Sequence, residues 1–279
     1  GFLKTVEMNE ILKTSMLPKE KKWKLVWHDE FDGDKLDETK WSYRRHLWHR
    51  ESPTFTDEGV TLKDSCLYIS LIEKDGNYYS AHLQTGENYL DRPNPGKDWP
   101  IAPFSKPKFM HKYGYYECRC KLQQSNGWWS AFWLQSPIIG CCPDPAKAGI
   151  EIDIMESFSD YGKIDRNTIS CNAHWSGYNY DSKDYGTFGL HAYTLKPTDD
   201  DFHIFGVDWA RDGYRFYVDG EQTAYMKGPV SDIEQFILIS TECNGYRNNP
   251  PKPCKELLET KLPDAFVVDY VRVYDEVCE

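Results

Sequence analysis

Short runs in which apolar and polar side chains alternate recur along the chain from Trp23 to Tyr274. Such alternation is typical of β-strands, because successive side chains of a strand point to opposite faces of a sheet. Gly, Pro, Asn and Asp separate the runs, and long helical periodicity is absent after residue 22. The pattern predicts ten strands: Trp23–Trp27, Cys66–Ile72, Tyr113–Leu122, Ala131–Gln135, Ile150–Met155, Thr168–His174, Phe202–Trp209, Tyr214–Val218, Phe236–Ser240 and Ala265–Tyr274.

Many short strands with turn signals between them are typical of an all-β sandwich or jelly roll. Two Asp-Gly pairs, at 212–213 and 219–220, bracket one strand and indicate a β-hairpin. Residues 1–22 carry a weak helical pattern that ends near Pro18, and we interpret them as an N-terminal extension lying on the body of the protein. Residues 23–279 are predicted to form a single domain. Long polar loops are predicted over 87–108, 136–149, 176–200 and 243–263, and loops of that length are usually functional.

The composition excludes several classes of protein. Of the 279 residues, 40% are hydrophobic and 28% charged, which is ordinary for a globular chain that buries a core. No run of about 18 apolar residues occurs, so no membrane-spanning helix is predicted. The net charge of −11 argues against a nucleic-acid partner, because phosphate binding needs clustered Lys and Arg. Aromatic residues make up 15% of the chain, and their flat apolar faces suit strands and sugar rings.

Nine cysteines are present, and an odd number leaves at least one thiol free in a monomer. No Cys-x-x-Cys pair occurs, so the spacing does not indicate a zinc site. We interpret most of these cysteines as small buried hydrophobic residues. One or two disulfides, involving Cys243, Cys254 or Cys278, stay open as an alternative in an oxidising compartment.

Three acidic residues stand close together in the segment 150–157. In a regular strand, Glu151 and Asp153 share one face, and the intervening isoleucines point to the other, apolar face. Glu156 would then point to the wrong face. An extra residue at a β-bulge around Ile154 and Met155 would return it to the acidic face, and bulges are frequent beside active sites.

Three carboxyl groups on one face repel one another, which pushes their pKa values apart. Glycoside hydrolysis uses such a split, because one carboxylate acts as nucleophile while a protonated carboxyl acts as acid. A retaining mechanism requires the two carboxyl groups to lie about 5–5.5 Å apart. The same residues could instead form a solvated acidic face on an edge strand or a set of calcium ligands.

The pattern Glu-x-Asp-x-x-Glu at residues 151–156 resembles the signature of glycoside hydrolase family 16 in its bulged form. That family contains laminarinases, mixed-linkage glucanases, agarases, porphyranases and carrageenases. The resemblance extends over about residues 23–275, because further segments resemble the family's strands in the same order. These segments are Trp27–Gly33 with Leu36-Asp37 and Lys40-Trp41, Tyr113–Arg119, Gly127–Leu134, Phe202–Trp209, Phe216–Gly220 and Val268–Tyr274.

The resemblance implies a β-jelly-roll of two curved antiparallel sheets with an open cleft on the concave face. It also implies a retaining, endo-acting hydrolase in which Glu151 is the nucleophile and Glu156 the general acid/base. Asp153 would tune this pair. No cofactor is expected for catalysis. A structural Ca²⁺ on the convex face, held by Glu30 and Asp269, is a further implication, and the alternative is that these two acids are solvated or hydrogen-bonded.

Candidate substrate-binding residues surround the predicted acidic strand. Trp129 and Trp133 match family positions that bracket the sugar next to the scissile bond, and indole rings stack on pyranose faces. His174 and Asn172 share one face of the next predicted strand. Further candidates lie in or beside loops that could wall the cleft: Trp48, Arg50, Glu51, Trp175, Tyr178 and Tyr246.

The expected substrate is a β-1,3-containing polysaccharide, either laminarin-like or mixed-linkage glucan. The segment Trp129–Ala131 reads Trp-Ser-Ala where laminarinase-like members usually have Trp-Pro-Ala, and the loops 136–148 and 174–185 are distinctive. A β-galactanase acting on agar- or porphyran-type galactan is therefore an alternative, as is a transglycosylase. A third alternative is a non-catalytic carbohydrate-binding jelly roll, although such a protein would usually lack one of Glu151 or Glu156.

The resemblance also sets expectations about partners and location. The partner is expected to be a polysaccharide, with no nucleic acid and no membrane span. We expect a monomer that acts in the extracellular space, in the periplasm or at the cell surface.

Overall fold

The computed structural model describes residues 10, 11, 13–92, 105–157, 166–176, 178 and 181–278. Within them lie twenty strands, two short α-helices that are described from end to end, α1 and α2, a 3₁₀ turn at Tyr89–Asp91, and helical residues near the N-terminal end of the described part. The bounds are β1 Trp23–Asp29, β2 Ser42–Tyr43, β3 His46–Leu47, β4 Arg50–Glu51, β5 Val60–Lys63, β6 Cys66–Ser70, β7 Ile72–Lys74, β8 Asn77–Tyr79, β9 His82–Gln84, β10 Gly114–Lys121, β11 Trp128–Gln135, α1 Pro145–Ala148, β12 Glu151–Ser157, β13 Thr168–Trp175, β14 Gly186–Thr187, β15 His191–Thr194, β16 His203–Ala210, β17 Gly213–Val218, β18 Glu221–Met226, β19 Phe236–Cys243, α2 Lys255–Leu258 and β20 Ala265–Glu276.

Two eight-stranded antiparallel sheets carry most of these elements. The first has the order β18-β17-β16-β10-β20-β6-β5, with β1 paired to β20. The second, which we call the cleft sheet, has the order β14-β13-β12-β11-β19-β9-β2, with β15 paired to β13. Consecutive strands such as β16–β17 and β12–β13 are paired beside strands that are far apart in sequence, such as β10–β20 and β9–β19, as expected of a jelly roll. The predicted all-β fold is confirmed.

The core lies between the two sheets. Phe132, Ile152 and Met155 extend from the cleft sheet and are completely buried. Phe205 and Val271 extend from the first sheet into the same cluster. Because alternate residues of each strand supply this core, the remaining residues of the cleft sheet face outward, where they are available for chemistry.

All ten predicted strands are present, with ends shifted by a few residues. The shorter strands were missed, and 176–200 is not a plain loop, because it contains β14 and β15. Strands of two to four residues are too short to show an alternating pattern. The longer β18 was also missed, because it lies at the edge of the first sheet and carries mostly polar or exposed side chains.

Part of the N-terminal segment packs on the first sheet. Residues 10, 11, 13 and 14 are helical, whereas residues 1–9 and 12 of the predicted extension lie outside the described residues. Ile11 is buried, and its carbonyl oxygen accepts a hydrogen bond from Arg272 Nη1 at 3.0 Å. The backbone N–H of Met16 donates to the buried carboxylate of Glu117 at 2.9 Å. These contacts tie the segment to the centre of the sheet.

All nine cysteines are free thiols in the structure. Cys118, Cys120, Cys171 and Cys243 are buried, as expected for cysteines that act as small hydrophobic residues. In the part of the chain that the structure describes, no helix is long and apolar enough to cross a membrane.

Candidate active site

A β-bulge in β12 brings three carboxyl groups onto one face of the cleft sheet. The pairing of β12 with both neighbouring strands shifts register between Asp153 and Glu156. Ile154 and Met155 are both buried in the core, so the bulge absorbs one extra core residue. Glu156 consequently lies on the same outer face as Glu151 and Asp153, as the predicted bulge requires.

Glu151 accepts hydrogen bonds in the cleft. The Tyr178 hydroxyl donates to Glu151 Oε1, and Gln135 Nε2 approaches the same oxygen at 3.4 Å. Gln135 also donates to the Tyr178 hydroxyl oxygen at 2.6 Å, which orients that hydroxyl toward Glu151. His174 Nε2 lies 3.9 Å from the other oxygen, Oε2. These contacts hold the Glu151 carboxyl group in a fixed position in the cleft.

Burial raises the pKa of both other carboxyl groups. For Asp153 the shift is large, and the charges of Glu151 and Glu156 add to it. For Glu156, burial and then the charge of Glu151 raise the pKa to about 8, whereas Trp129 and Arg247 lower it. Glu156 is therefore largely protonated at neutral pH, as a general acid must be.

These carboxyl groups line a cavity of about 620 Å³. Its floor comes from five adjacent strands, β13, β12, β11, β19 and β9, so its long direction crosses the strands. Trp133 stands in the floor, where its Nε1 donates to Ser240 Oγ at 3.0 Å. Trp48, which is 49% exposed, stands on the wall. A groove that crosses a sheet and carries indole faces suits an extended sugar chain.

Arg247 forms a ridge along one side of this cleft. Its Nε and Nη2 donate to the two oxygens of Glu242 at 2.7 and 2.9 Å, which is a bidentate ion pair. The guanidinium also lies between two indole rings, 5.3 Å from the ring centroid of Trp48 and 5.1 Å from that of Trp129. The ion pair and the two rings hold the guanidinium in place.

A second arginine packs on the floor of the cleft. Arg44 lies 5.5 Å above the Trp133 ring and donates from Nε to Asp91 at 2.8 Å. Its Nη1 lies 3.1 Å from Nδ1 of buried His82. A guanidinium only donates, so Nδ1 is the acceptor and Nε2 carries the proton. Burial, then the charges of Arg44 and Arg247, lower the pKa of His82, and Nε2 has no hydrogen-bond partner among the described residues.

Most of the predicted site residues lie in this cleft. Besides the three carboxyl groups, the cavity is lined by Trp48, Trp129, Trp133, Asn172 and His174. Asn172 is opposite Asp153 across the β12–β13 pair, and Thr187 Oγ1 donates to its Oδ1 at 3.0 Å. His174 Nε2 lies 3.5 Å from Asp153 Oδ2.

Three predicted substrate residues, and the further candidate Glu51 on the exposed strand β4, do not line the cavity. Trp175 follows His174 on β13 and therefore points to the opposite face, where it packs against the core. Arg50 is exposed on the β3–β4 hairpin. Tyr246 packs on a small separate apolar cluster, and its hydroxyl accepts from the Tyr78 backbone N–H at 3.0 Å. The structure thus corrects these four assignments.

Several residues that line the cleft were not selected from the sequence: Arg44, His82, Gln135, Ser240, Glu242 and Arg247. One signal could have found two of them. If the predicted strand Phe236–Ser240 is extended by two residues, Ser240 and Glu242 lie on the same face of the strand, because they are two positions apart. No local pattern marks Arg44, His82 or Arg247, because their position depends on contacts between distant segments.

The residues expected to hold calcium are engaged otherwise. Glu30 accepts from Arg272 Nη2 at 2.5 Å and Nε at 3.0 Å, and His28 Nδ1 lies 3.1 Å away. Asp269 accepts from Arg119 Nη1 at 3.0 Å. A guanidinium on each carboxylate supplies the positive charge that a calcium ion would bring and occupies oxygens that it would need. The two acids in this arrangement therefore do not fit a calcium site.

Within the described residues, one group of side chains has the spacing of metal ligands, namely Glu151, Asp153 and His174, whose ligand atoms lie within 4.8 Å of one another. Burial and the neighbouring charges raise the pKa of Asp153, which favours its protonated form. A protonated carboxyl group is a poor metal ligand. The cluster is better suited to proton chemistry than to metal binding.

Comparison with known proteins decides the family. The model of the GH16 domain of β-porphyranases A–D matches residues 23–276. The chain belongs to glycoside hydrolase family 16. The chain is also similar to β-porphyranase B of Zobellia galactanivorans, at 29% identity over 82% of this chain and 76% of that protein.

Glucan-degrading relatives are equally apparent. Glucan endo-1,3-β-glucosidase A1 of Niallia circulans is 25% identical over 90% of this chain, which spans only 38% of that protein. The catalytic domain of an endo-1,3-β-glucanase (laminarinase) from Thermotoga petrophila is 27% identical. It superposes with a TM-score of 0.66 over 92% of this chain and 99% of that chain. The family 16 chain described here is an endo-acting glycoside hydrolase with a jelly-roll fold.

Proposed function

We propose that this family 16 chain is a retaining endo-β-glycanase that cleaves a β-1,3-containing glucan of the laminarin or mixed-linkage type. One observation carries the proposal: two carboxyl groups on one face of β12 have opposite environments. Donors surround Glu151, whereas burial and the charge of Glu151 raise the pKa of Glu156 to about 8. This is the division of roles that a double displacement needs.

In the first step, Glu151 attacks the anomeric carbon while the glycosidic C–O bond breaks. Glu156 transfers its proton to the leaving oxygen, which departs as a neutral hydroxyl group. Formation of the glycosyl ester removes the charge of Glu151, so the pKa of Glu156 falls. In the second step, Glu156 takes a proton from water, the water oxygen attacks the anomeric carbon, and Glu151 is released.

The cleft supports this chemistry beyond the carboxyl groups. Trp133 and Trp129 offer apolar faces to pyranose rings on either side of the scissile bond. Asp153, held protonated by its raised pKa, can donate to Glu151 and keep it oriented. Because the cleft crosses five strands, it admits internal segments of a polymer, in agreement with endo cleavage.

The test is reducing-end release from laminarin and mixed-linkage glucan by the wild type, Glu151→Gln and Glu156→Gln. We expect the wild type to cleave at least one polymer and both variants to lose at least about a thousandfold in kcat. Proton NMR of the first products should show retention of the β-anomer. Full activity of Glu151→Gln, or inversion, would refute the mechanism. Longer products at high oligosaccharide concentration would indicate transglycosylation instead of hydrolysis.

A second candidate is a β-galactanase acting on a porphyran-type galactan. It is favoured by the match to the porphyranase domain and by Arg44 and Arg247, which place two guanidinium groups at the cleft. Guanidinium groups bind sulfate well. Agarose and porphyran in the same assay separate the candidates, because cleavage of porphyran alone would favour the sulfated galactan.

We further propose that the enzyme acts as a monomer outside the cytoplasm, where polymeric substrates are accessible. Size-exclusion chromatography with light scattering would measure the oligomeric state, and a dimer would contradict the first part. Detection of the native protein in separated cell fractions would test whether it lies outside the cytoplasm.

A further inference from the structure

A second cavity, of about 360 Å³, adjoins the cleft, and we call it the side pocket. It shares three residues with the cleft: Trp129, Glu242 and Arg247. The ridge built around Arg247 therefore has a cavity on each side. The rest of the side pocket is formed by Cys243, Asn244, Gly245, Asn248, Cys254 and Glu256.

The side pocket lies off the line of the cleft. The cleft crosses five strands of the cleft sheet, whereas the side pocket begins where β19 ends at Cys243 and continues into the segment that leads to α2. It is thus displaced along the strand direction, on the side of Trp129 and the acid Glu156. A sugar in the side pocket would extend sideways from a backbone sugar in the cleft.

Asn244 supplies a donor that lacks an acceptor. The residue is only 9% exposed, and its side-chain Nδ2 has no hydrogen-bond partner among the described residues. The backbone of Asn244 is satisfied, because its N–H donates to Gly127 and its carbonyl accepts from Cys254. A buried amide without a partner is costly unless a bound group completes it.

The charges of the side pocket favour a neutral ligand. Glu242 is neutralised by Arg247 through two hydrogen bonds. The carboxyl group of Glu256 adds negative charge on the wall, which disfavours a sulfate or a carboxylate. A hydroxyl oxygen can accept from Asn244, and the shared Trp129 ring offers an apolar face.

We propose that the side pocket binds a neutral sugar unit that branches from the backbone sugar held in the cleft. This inference rests on the proposed glycanase function and adds a substrate feature to it. The volume suits one pyranose, and the amide of Asn244 would donate to one of its hydroxyl groups.

The test compares two substrates of equal backbone length: linear laminarihexaose and a laminarihexaose that carries one β-1,6-linked glucose. We measure kcat/KM for the wild type, Asn244→Ala and Asn248→Trp, the last of which adds bulk at an exposed lining position and should fill the pocket. The matched control is Asn126→Ala, an exposed asparagine that does not line the pocket. Loss of one hydrogen bond predicts that Asn244→Ala lowers kcat/KM for the branched substrate by about threefold to tenfold, with linear substrate and control unchanged.

Other outcomes separate this proposal from the proposed function. If the wild type and Asn244→Ala both cleave the glucans with the same branched-to-linear ratio, the branch pocket is refuted and the glycanase stands. Equal losses on both substrates would make the pocket a backbone subsite and would overturn the branch assignment. Cleavage of neither substrate by the wild type would overturn both. Asn248→Trp must reproduce the selective loss, which guards against a folding defect in Asn244→Ala.

Discussion

Replacement of Glu151 by Gln should lower the pKa of Glu156. Burial contributes most to raising that pKa to about 8, and the charge of Glu151 is the next cause. Gln is nearly the same size as Glu and removes only the charge. The variant therefore isolates the electrostatic part of the shift and mimics the neutral glycosyl ester of the proposed intermediate.

The size of the effect follows from Coulomb's law. At the roughly 5.5 Å separation that a retaining mechanism requires, and with an effective dielectric constant of about 20, two unit charges interact by about 3 kcal/mol. That energy corresponds to about two pKa units. We therefore expect the pKa of Glu156 to fall from about 8 to about 6 in Glu151→Gln, and the remainder above 4.5 is the effect of burial less the lowering by Trp129 and Arg247.

The measurement is a ¹³C NMR titration of the Glu156 carboxyl carbon in protein labelled at glutamate Cδ, with Glu156→Gln used for assignment. Glu51→Gln is the control, because it removes the same charge from an exposed hairpin outside the cleft. In this control, the pKa of Glu156 should be the same as in the wild type. If the pKa of Glu156 moves by less than about half a unit in Glu151→Gln, the two groups are not coupled as the mechanism requires.

Three further predictions concern single side chains. The pKa of Glu156 is raised in the folded state, so its stability contribution is complete below about pH 4.5 and is lost as pH rises through about 8. Glu156→Gln should therefore raise the free energy of unfolding in urea by up to about 3 kcal/mol at pH 7 but hardly at pH 4, and equal gains would contradict this. Tyr178→Phe removes a hydroxyl donor to Glu151 and should lower kcat by about tenfold with little change in KM, whereas a change in KM alone would make Tyr178 a binding residue. His82→Ala removes the free Nε2 donor and should raise KM by about threefold to tenfold, and an unchanged KM would show that His82 does not contact substrate.

The catalytic carboxyl groups could be predicted because their placement is local. Alternation along β12 places Glu151 and Asp153 opposite the core isoleucines, and a single bulge returns Glu156 to their face. The same alternation separates His174 from Trp175 on β13, so the assignment of both residues to the cleft contradicted the rule that predicted the strand. Strand parity was the better guide at that position.

The cleft walls could not be predicted, because they assemble from distant segments. Arg44 follows β2, His82 lies on β9, and Arg247 follows β19, yet Arg44 contacts His82 and both arginines stack on tryptophans of β11. The tryptophan on which each guanidinium stacks depends on the order of strands in the sheet. No local sequence pattern predicts that order. Tyr178 was recognised only as one of several aromatic residues in a loop.

Arg247 affects both the shape of the cleft and the pKa of the general acid. Its stacking and its ion pair with Glu242 build the ridge between the cleft and the side pocket, so it affects which sugars fit. Its charge also lowers the pKa of Glu156, the general acid. A change at this position that alters substrate choice must therefore also raise the pKa of Glu156 and move the alkaline limb of activity to higher pH. The pKa of Glu156 is set by burial, Glu151, Trp129 and Arg247 and not by Arg44, so substrate preference can change at Arg44 without a change in the pH optimum.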